Sequence, residues 1–464
     1  MNLLRKKSIQ SILLNAEKNS LKKTLGVFDL IMIGIGCTIG TGIFVVTGVA
    51  AATYAGPAIS ISYFLAALAC FFAALAYAEL AAMVPVSGSA YTYSYAVLGE
   101  FIAWLVGWGL ILEYGIGAST VAAGWSGYVV GILKSGGIFL PEYLTQVPAN
   151  GGIINLPAIF ISLFIGFLLL RGTKESVALN RILVAIKLGV IFLFLIIAAP
   201  MIKPENWSDF MPFGISGIFV GAATVFYAYI GFDAVATAAE ECKNPKRDLP
   251  IGIIFSLLIC TILYVAVALM LTGITPYFEL NNAEPLARAL RLNGSNIGSA
   301  LVATGAVAGM SSVLLVLIYG QSRIFFVMSR DRLIPAPFSK LHKKFGTPHI
   351  SVTTTSIAVA IISGFLPLKT LSHLTSLGTL FAFITVAIGV LVLRITQPSL
   401  NRPFKCPAVW LTVPLAVLSC GYLVYNLLLE NGGWFLAWSV LGLVIYFSYG
   451  YRSSSKSFQN SNTQ

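Results

Sequence analysis

Charge is the first shortage in this sequence. Only 10% of its 464 residues are Asp, Glu, Lys or Arg, against about 25% in soluble globular proteins. That shortage excludes a disordered chain, a nucleic-acid-binding domain and almost any water-soluble enzyme. Histidine is also scarce, at three residues. The six cysteines, Cys37, Cys70, Cys242, Cys260, Cys406 and Cys420, form no CxxC and no Cys/His spacing. Neither a disulfide frame nor a zinc site is therefore indicated, and no metal or cofactor is expected. The first 25 residues are polar and basic and lack an apolar core followed by a small-residue cleavage site. No cleavable signal peptide is expected, and the first apolar run should itself direct insertion.

Apolar residues fill the space that charge leaves. They make up 57% of the chain, and the mean hydropathy is +0.87. Runs of 18 or more recur from Phe28 to Tyr449, each long enough to cross a hydrocarbon core of ~30 Å as a helix. The pattern predicts an all-α polytopic membrane protein with twelve transmembrane helices. They fall near 28–53, 57–83, 101–132, 155–170, 176–199, 214–238, 251–274, 297–327, 350–366, 371–396, 407–428 and 433–451. The organisation expected is a cytoplasmic segment (1–25), a first five-span block (26–200), a second (201–396), two further spans (397–451) and a Ser/Asn/Gln-rich, disordered tail (452–464).

The net charge of +12 is distributed unevenly. On this topology 22 of the 29 Lys and Arg fall on the side of the N-terminus and five on the other, with Lys187 and Arg323 inside spans. That asymmetry predicts both termini in the cytoplasm of a cell-membrane protein. Anionic inner-leaflet lipid is then a sufficient partner for the positive charge, with no need of nucleic acid. Glu284–Leu292 reads as a short interfacial helix on the outside. Ser329–Lys344 reads as a solvated cytoplasmic connector.

Two spans carry residues that a continuous helix does not want. Span 1 contains Gly34-Ile-Gly-Cys-Thr-Ile-Gly-Thr-Gly-Ile-Phe44. Each interior Gly costs about 1 kcal/mol against Ala, and an opened backbone inside a membrane is tolerable only beside a cavity. One reading is an unwound stretch near Ile39–Gly42 whose N–H groups hold a carboxylate and whose C=O groups hold an ammonium. The other is tight helix packing, since Gly36 and Gly40 are four apart. Span 6 shifts the balance toward unwinding, because Phe226-Tyr-Ala-Tyr-Ile-Gly-Phe-Asp-Ala234 brings a glycine, two tyrosines and an acid into an apolar run. The two interruptions, near Gly40 and Gly231, sit in the first span of each five-span block. Five is odd, so the second block inverts, and paired broken spans in equivalent positions point to a transport site. A wet chamber sized for a zwitterion is expected between them.

Charges at membrane depth add candidates. Lys187, in the middle of span 5, costs about 2.5–3.5 kcal/mol to place there. It either snorkels toward the cytoplasmic face or carries a proton while contacting the opened backbone of span 1. Glu113, in span 3, either tunes the pocket or is protonated and hydrogen-bonded. Glu79 and Asp233 lie nearer the cytoplasmic ends of their spans and read as structural. Met310 in span 8 is a core filler or, facing the pocket, a limit on side-chain length.

Four stretches carry a resemblance: Gly34–Phe44, Phe226–Asp233, Glu240-Glu-Cys-Lys-Asn-Pro-Lys-Arg-Asp-Leu-Pro250, and Gln321-Ser-Arg-Ile-Phe-Phe-Val-Met-Ser-Arg-Asp331. With them the chain resembles the amino acid–polyamine–organocation superfamily of permeases, and most of all bacterial members of the cationic amino acid transporter family. The resemblance implies a LeuT-like five-plus-five inverted repeat with two further helices, and amino acid import by alternating access. It implies a substrate carboxylate on the N–H groups of Thr41, Gly42 and Ile43, beside Gly40. The substrate amino group would meet the carbonyls of Ile39, Tyr227, Ala228 and Ile230, beside Gly231. Tyr227 would close over the substrate, and Lys187 would couple transport to protons. Neutral amino acids are favoured over cationic ones, since Met310 works against length while Glu113 favours a cation.

Three other functions share some of these features. An exchanger uses the same scaffold. An intramembrane serine protease is suggested only by Gly124-Trp-Ser-Gly127, with Ser126 as nucleophile and His373 as the histidine within conceivable reach. A channel would need a selectivity-filter sequence or a ring of charges, which the spans lack.

Overall fold

The structure, a computed structural model, describes residues 5–7, 23–86, 89–171, 177–343 and 346–454. Most of the basic N-terminal segment, part of the 171–181 loop and the tail beyond 454 lie outside these residues, so the expected disorder of the tail is not addressed.

Fifteen α-helices are described. In chain order they are α1 (Val27–Thr38), α2 (Thr47–Ala50), α3 (Ile59–Met83), α4 (Ser89–Val97), α5 (Glu100–Ser135), α6 (Leu156–Leu170), α7 (Val177–Ala198), α8 (Gly214–Val225), α9 (Ala234–Thr237), α10 (Pro245–Ile274), α11 (Pro285–Leu292), α12 (Asn296–Arg330), α13 (His349–Phe365), α14 (Leu368–Thr396) and α15 (Val409–Ile445). Extended pairing among the described residues is limited to one bridge between Leu25 and Cys242. Among the described residues, eight helical stretches are long and apolar enough to cross a membrane, and α1, α6 and α13 are shorter apolar helices.

Local chemistry sets several helix ends. The Gly26 N–H donates to Asp29 Oδ2 at 3.1 Å, closing the first turn of α1. Asn155 caps α6, its Oδ1 accepting from the Ala158 N–H at 3.2 Å, as an N-cap side chain should. Pro245 opens α10 at a position where its missing N–H has no partner to lose. α15 is bent at Asn431, whose φ of −125° and ψ of 15° are not helical. That bend falls in the gap expected between the last two spans.

The centre of the bundle is built on close helix pairs. α5 packs on α12 and α14, and α3 on α10. The buried face of α3 is rich in alanine (Ala66, Ala69, Ala73, Ala76), and small residues let helix backbones approach where no hydrophobic effect drives them together. Large apolar side chains such as Phe64, Phe160, Ile196, Leu258 and Leu418 point outward instead, the arrangement a lipid solvent favours.

Two features differ from the sequence expectation. The segment before α5 contains α4, a helix the sequence reading did not single out; eight of its nine residues are buried. α11 is helical as expected, but its apolar residues Leu286, Ala287, Ala289 and Leu290 are buried within the protein against α12. It lies on its own neighbours rather than on lipid. Glu79 is structural, as read. It accepts from Arg394 Nε and Nη2 at 2.9 and 2.6 Å and from the Cys406 N–H at 2.7 Å. A buried carboxylate must be paired and hydrogen-bonded in this way.

Candidate functional site

The first glycine-rich stretch is not a continuous helix. α1 ends at Thr38, and Ile39 leaves helical geometry at φ −76° and ψ 102°. The chain re-enters as a π turn over Gly42–Val46. By helical geometry the N–H groups that open this second segment have no partner inside it. The carbonyls of the π turn are taken by hydroxyls. Tyr63 Oη donates to Gly42 O at 3.2 Å, Thr47 Oγ1 to Ile43 O at 2.9 Å, and Tyr128 Oη to Phe44 O at 2.8 Å. The result is a half-helix whose carbonyl side is fixed and whose amide end faces the gap.

The second stretch opens differently. α8 tightens into a 3-10 turn over Phe226–Tyr229, Ile230 turns extended at ψ 132°, and Gly231 follows at φ +116°. That conformation is cheap only for glycine. α9 then resumes at Ala234.

The two breaks meet backbone to backbone. A Cβ on Gly42 would run into the Cα of Ala228, and a Cβ on Gly231 would lie 2.9 Å from the carbonyl carbon and oxygen of Cys37. Each break supplies the glycine that admits the other. A buried side chain joins them as well: Tyr264 of α10 places its hydroxyl 3.0 Å from Thr38 O and 2.9 Å from Ala228 O. One phenolic proton thus serves the loose carbonyls of both breaks. Lys187 is almost fully buried, at 1% exposure, and donates from Nζ to Gly36 O at 2.6 Å. Its aliphatic stem runs along Gly309 of α12. The amine therefore points at α1 beside the first break.

A small cavity lies beside this crossing. The first break contributes Thr38, Gly40, Thr41 and Gly42, and the second contributes Tyr227 and Ile230. α5 adds Glu113, Gly117 and Val121, α12 adds Val313 and Leu317, and α14 adds Thr375. Its volume is about 20 Å³, room for about one water. This is smaller than the zwitterion-sized chamber expected from the sequence. Thr41 packs into the notch left by Gly124 of α5.

Six of the residues singled out from sequence line this cavity: Gly40, Thr41, Gly42, Glu113, Tyr227 and Ile230. Ile39, Ile43, Ala228 and Gly231 belong to the breaks but not to the wall. Met310 is buried without lining it. Leu317 lies seven residues further on, about 10 Å along the same face of α12, and it holds the wall position instead. Tyr264, Val313, Leu317 and Thr375 were not singled out from sequence. A tyrosine in an apolar span reads as core, and its two carbonyl partners appear only once the breaks are folded together. Ser126 donates to Asn155 Oδ1 at 2.6 Å. His373 sits instead against Asn431 at 2.8 Å and Thr224 at 3.3 Å. The Gly-x-Ser-Gly match is therefore accounted for by packing and a helix cap.

Comparison with known proteins points the same way. A family model described as amino acid permease matches residues 25–449. A branched-chain amino acid permease of Bacillus subtilis (strain 168) is 48% identical, the match covering 98% of each chain. A methylthioribose transporter of the same organism is 45% identical, over 98% of this chain and 99% of the relative. A vacuolar cationic amino acid transporter of Arabidopsis thaliana is 38% identical, over 86% of this chain and 68% of the relative.

Proposed function

The chain belongs to the amino acid permease family, and from that premise we propose that it imports neutral, aliphatic amino acids across the cell membrane by proton-coupled alternating access. The observation that carries this reading is the meeting of two broken helices at one cavity. Free N–H groups at Thr41, Gly42 and Ile43 suit a carboxylate. The carbonyls of Ile39, Tyr227, Ala228 and Ile230 suit an ammonium. A zwitterion needs both at once, and two separate breaks supply them. Beyond the backbone, Val121, Val313 and Leu317 offer an apolar wall to the side chain, which favours a branched aliphatic group over a cation.

In this reading the chain crosses the membrane twelve times. Residues 26–200 and 201–396 form two inverted five-helix halves, 397–451 adds two helices, and both termini are cytoplasmic beside anionic inner-leaflet lipid. The reciprocal contacts Gly42–Ala228 and Gly231–Cys37 support such a pseudo-two-fold relation. The small cavity fits an occluded state between outward and inward openings.

Lys187 is the coupling group of the proposal. A protonated Lys187 ties α7 to the carbonyl end of α1, and loss of its proton releases that end. While protonated, its ammonium also replaces a coupling sodium ion. The test is uptake of labelled leucine into proteoliposomes. Accumulation should follow an inward proton gradient and ignore sodium. Uptake that requires a loaded internal amino acid would instead assign the protein to exchange.

A further inference from the structure

A second polar assembly lies where α14 begins and α15 bends, and substrate recognition does not use it. Its centre is His373, almost fully buried at 2% exposure. Several elements meet there. Thr224 comes from α8, just before the turn that carries Tyr227. Glu430 and Asn431 come from the bend of α15. Lys369 shares α14 with the histidine, and Tyr54 stands in a π turn over Ala51–Ala55, after α2. On the topology proposed above, all of these lie toward the outer side of the membrane.

The hydrogen bonds fix where the imidazole carries its proton. An amide nitrogen only donates, so Asn431 Nδ2, at 2.8 Å, donates to Nδ1. The Thr224 hydroxyl donates to Val220 O at 3.1 Å and accepts from Nε2–H at 3.3 Å. The ring in this conformation is therefore neutral, with Nδ1 an acceptor. Glu430 Oε2 lies 3.5 Å from the same nitrogen and 3.0 Å from Lys369 Nζ. Tyr54 Oη donates to both Glu430 oxygens at 3.0 and 3.1 Å. Glu430 and Lys369 are thus the charges beside the ring, with Tyr54 behind the carboxylate, while α8 brings the uncharged Thr224. The Glu430 side chain is 36% exposed, so it joins a buried nitrogen to water.

We propose that His373 is a proton-binding site on the outer side, separate from Lys187, which when loaded holds the outer ends of the two broken helices open. A proton at Nδ1 turns that atom from acceptor to donor. Asn431 Nδ2 then faces another donor, and the new charge sits in a buried place. Both conflicts ease when water enters and Nδ1–H turns to the Glu430 carboxylate. The open conformation therefore binds the proton more tightly, and by reciprocity the proton favours opening. The elements released are those that matter to the cavity. Tyr54 follows the first break, Thr224 precedes the second, and Thr375, two residues beyond His373, is in the cavity wall. The site rests on the transport reading for its purpose and orientation, but its effect is measurable without substrate.

Cys37 is a native reporter, because it lines the cavity and is only partly buried. Right-side-out vesicles carrying the full-length protein are treated with a membrane-impermeant maleimide at a series of outer pH values, and Cys37 labelling is followed by mass spectrometry. Dividing the wild-type rate by the His373→Gln rate at each pH cancels the titration of the thiol itself. That ratio should rise roughly fivefold as the outer pH falls from about 8 to about 5, the low end of ordinary coupling between sites. Asn431→Asp puts an acceptor where the donor stood, so a loaded ring stays bonded with the outer side closed. Its rate, divided in the same way, should stay flat. A flat wild-type ratio would overturn the site. An equal rise in Asn431→Asp would overturn it too, because the donor conflict would then not be the cause. A rise that follows the pH inside the vesicle would overturn the outer placement. Failure of leucine uptake alongside a His373-dependent Cys37 rate would leave the site standing and remove only the substrate assignment.

Discussion

The two breaks reach the same end by different chemistry. The first spends four glycines, leaves the helix for two residues and returns through a π turn whose carbonyls are held by Tyr63, Thr47 and Tyr128. The second spends one glycine at φ +116° and tightens an aromatic segment into a 3-10 turn. The first therefore offers amide donors on a rigid frame. The second offers carbonyls and the Tyr227 ring at the cavity wall. A half-helix that must bind an anion needs bare N–H groups and little side-chain bulk, whereas a gate needs a side chain.

The comparison breaks most completely at the contact between the two. Gly42→Ala should lower uptake by about 100-fold or more, since its Cβ meets backbone and not a yielding side chain. Gly231→Ala should match it, because steric conflict with Cys37 is added to a disallowed φ. Uptake and detergent-solution folding of both variants check this. Next comes the asymmetry of charge: Lys187 donates to α1 beside the first break. Lys187→Ala should abolish accumulation on a proton gradient while leaving equilibrium leucine binding measurable by calorimetry. Retained concentrative uptake would remove Lys187 from coupling.

The shared element should cost less. Tyr264→Phe leaves Thr38 O and Ala228 O without their donor, a loss of order 1–3 kcal/mol for a buried acceptor, so leucine affinity should fall about tenfold by the same calorimetry. Smallest is Gly115→Ala in α5, where a Cβ meets nothing within 4 Å. Uptake should stay within about twofold of wild type, which separates glycines that the crossing needs from those it does not.

How much of this was legible in the sequence follows from what glycine and charge report locally. Glycine clusters at membrane depth and an isolated span lysine carry a cost, and that cost marks the breaks and Lys187 before any folding. Tyr264, Val313 and Leu317 carry no such mark. A tyrosine or an aliphatic residue in an apolar helix is ordinary, and its role depends on which carbonyl or cavity faces it in three dimensions. Met310 illustrates the same limit, because its sequence admitted both a core filler and a pocket wall, and the fold buries it while Leu317 lines the cavity. α4 escaped because its mixed Ser/Tyr/Ala sequence has neither the apolar run of a span nor the charge of a loop.

The central claim, that amides of the first break hold a carboxylate while carbonyls of both breaks hold an ammonium, is tested most directly by competition against labelled leucine binding with 4-methylpentanoate, 3-methylbutylamine and methylthioribose. The first lacks the ammonium, the second the carboxylate, and the third both. The account predicts that each competes at least about 100-fold more weakly than leucine, because a site built for a polar group rejects the analogue lacking it. Competition as strong as leucine's by any of the three would contradict it.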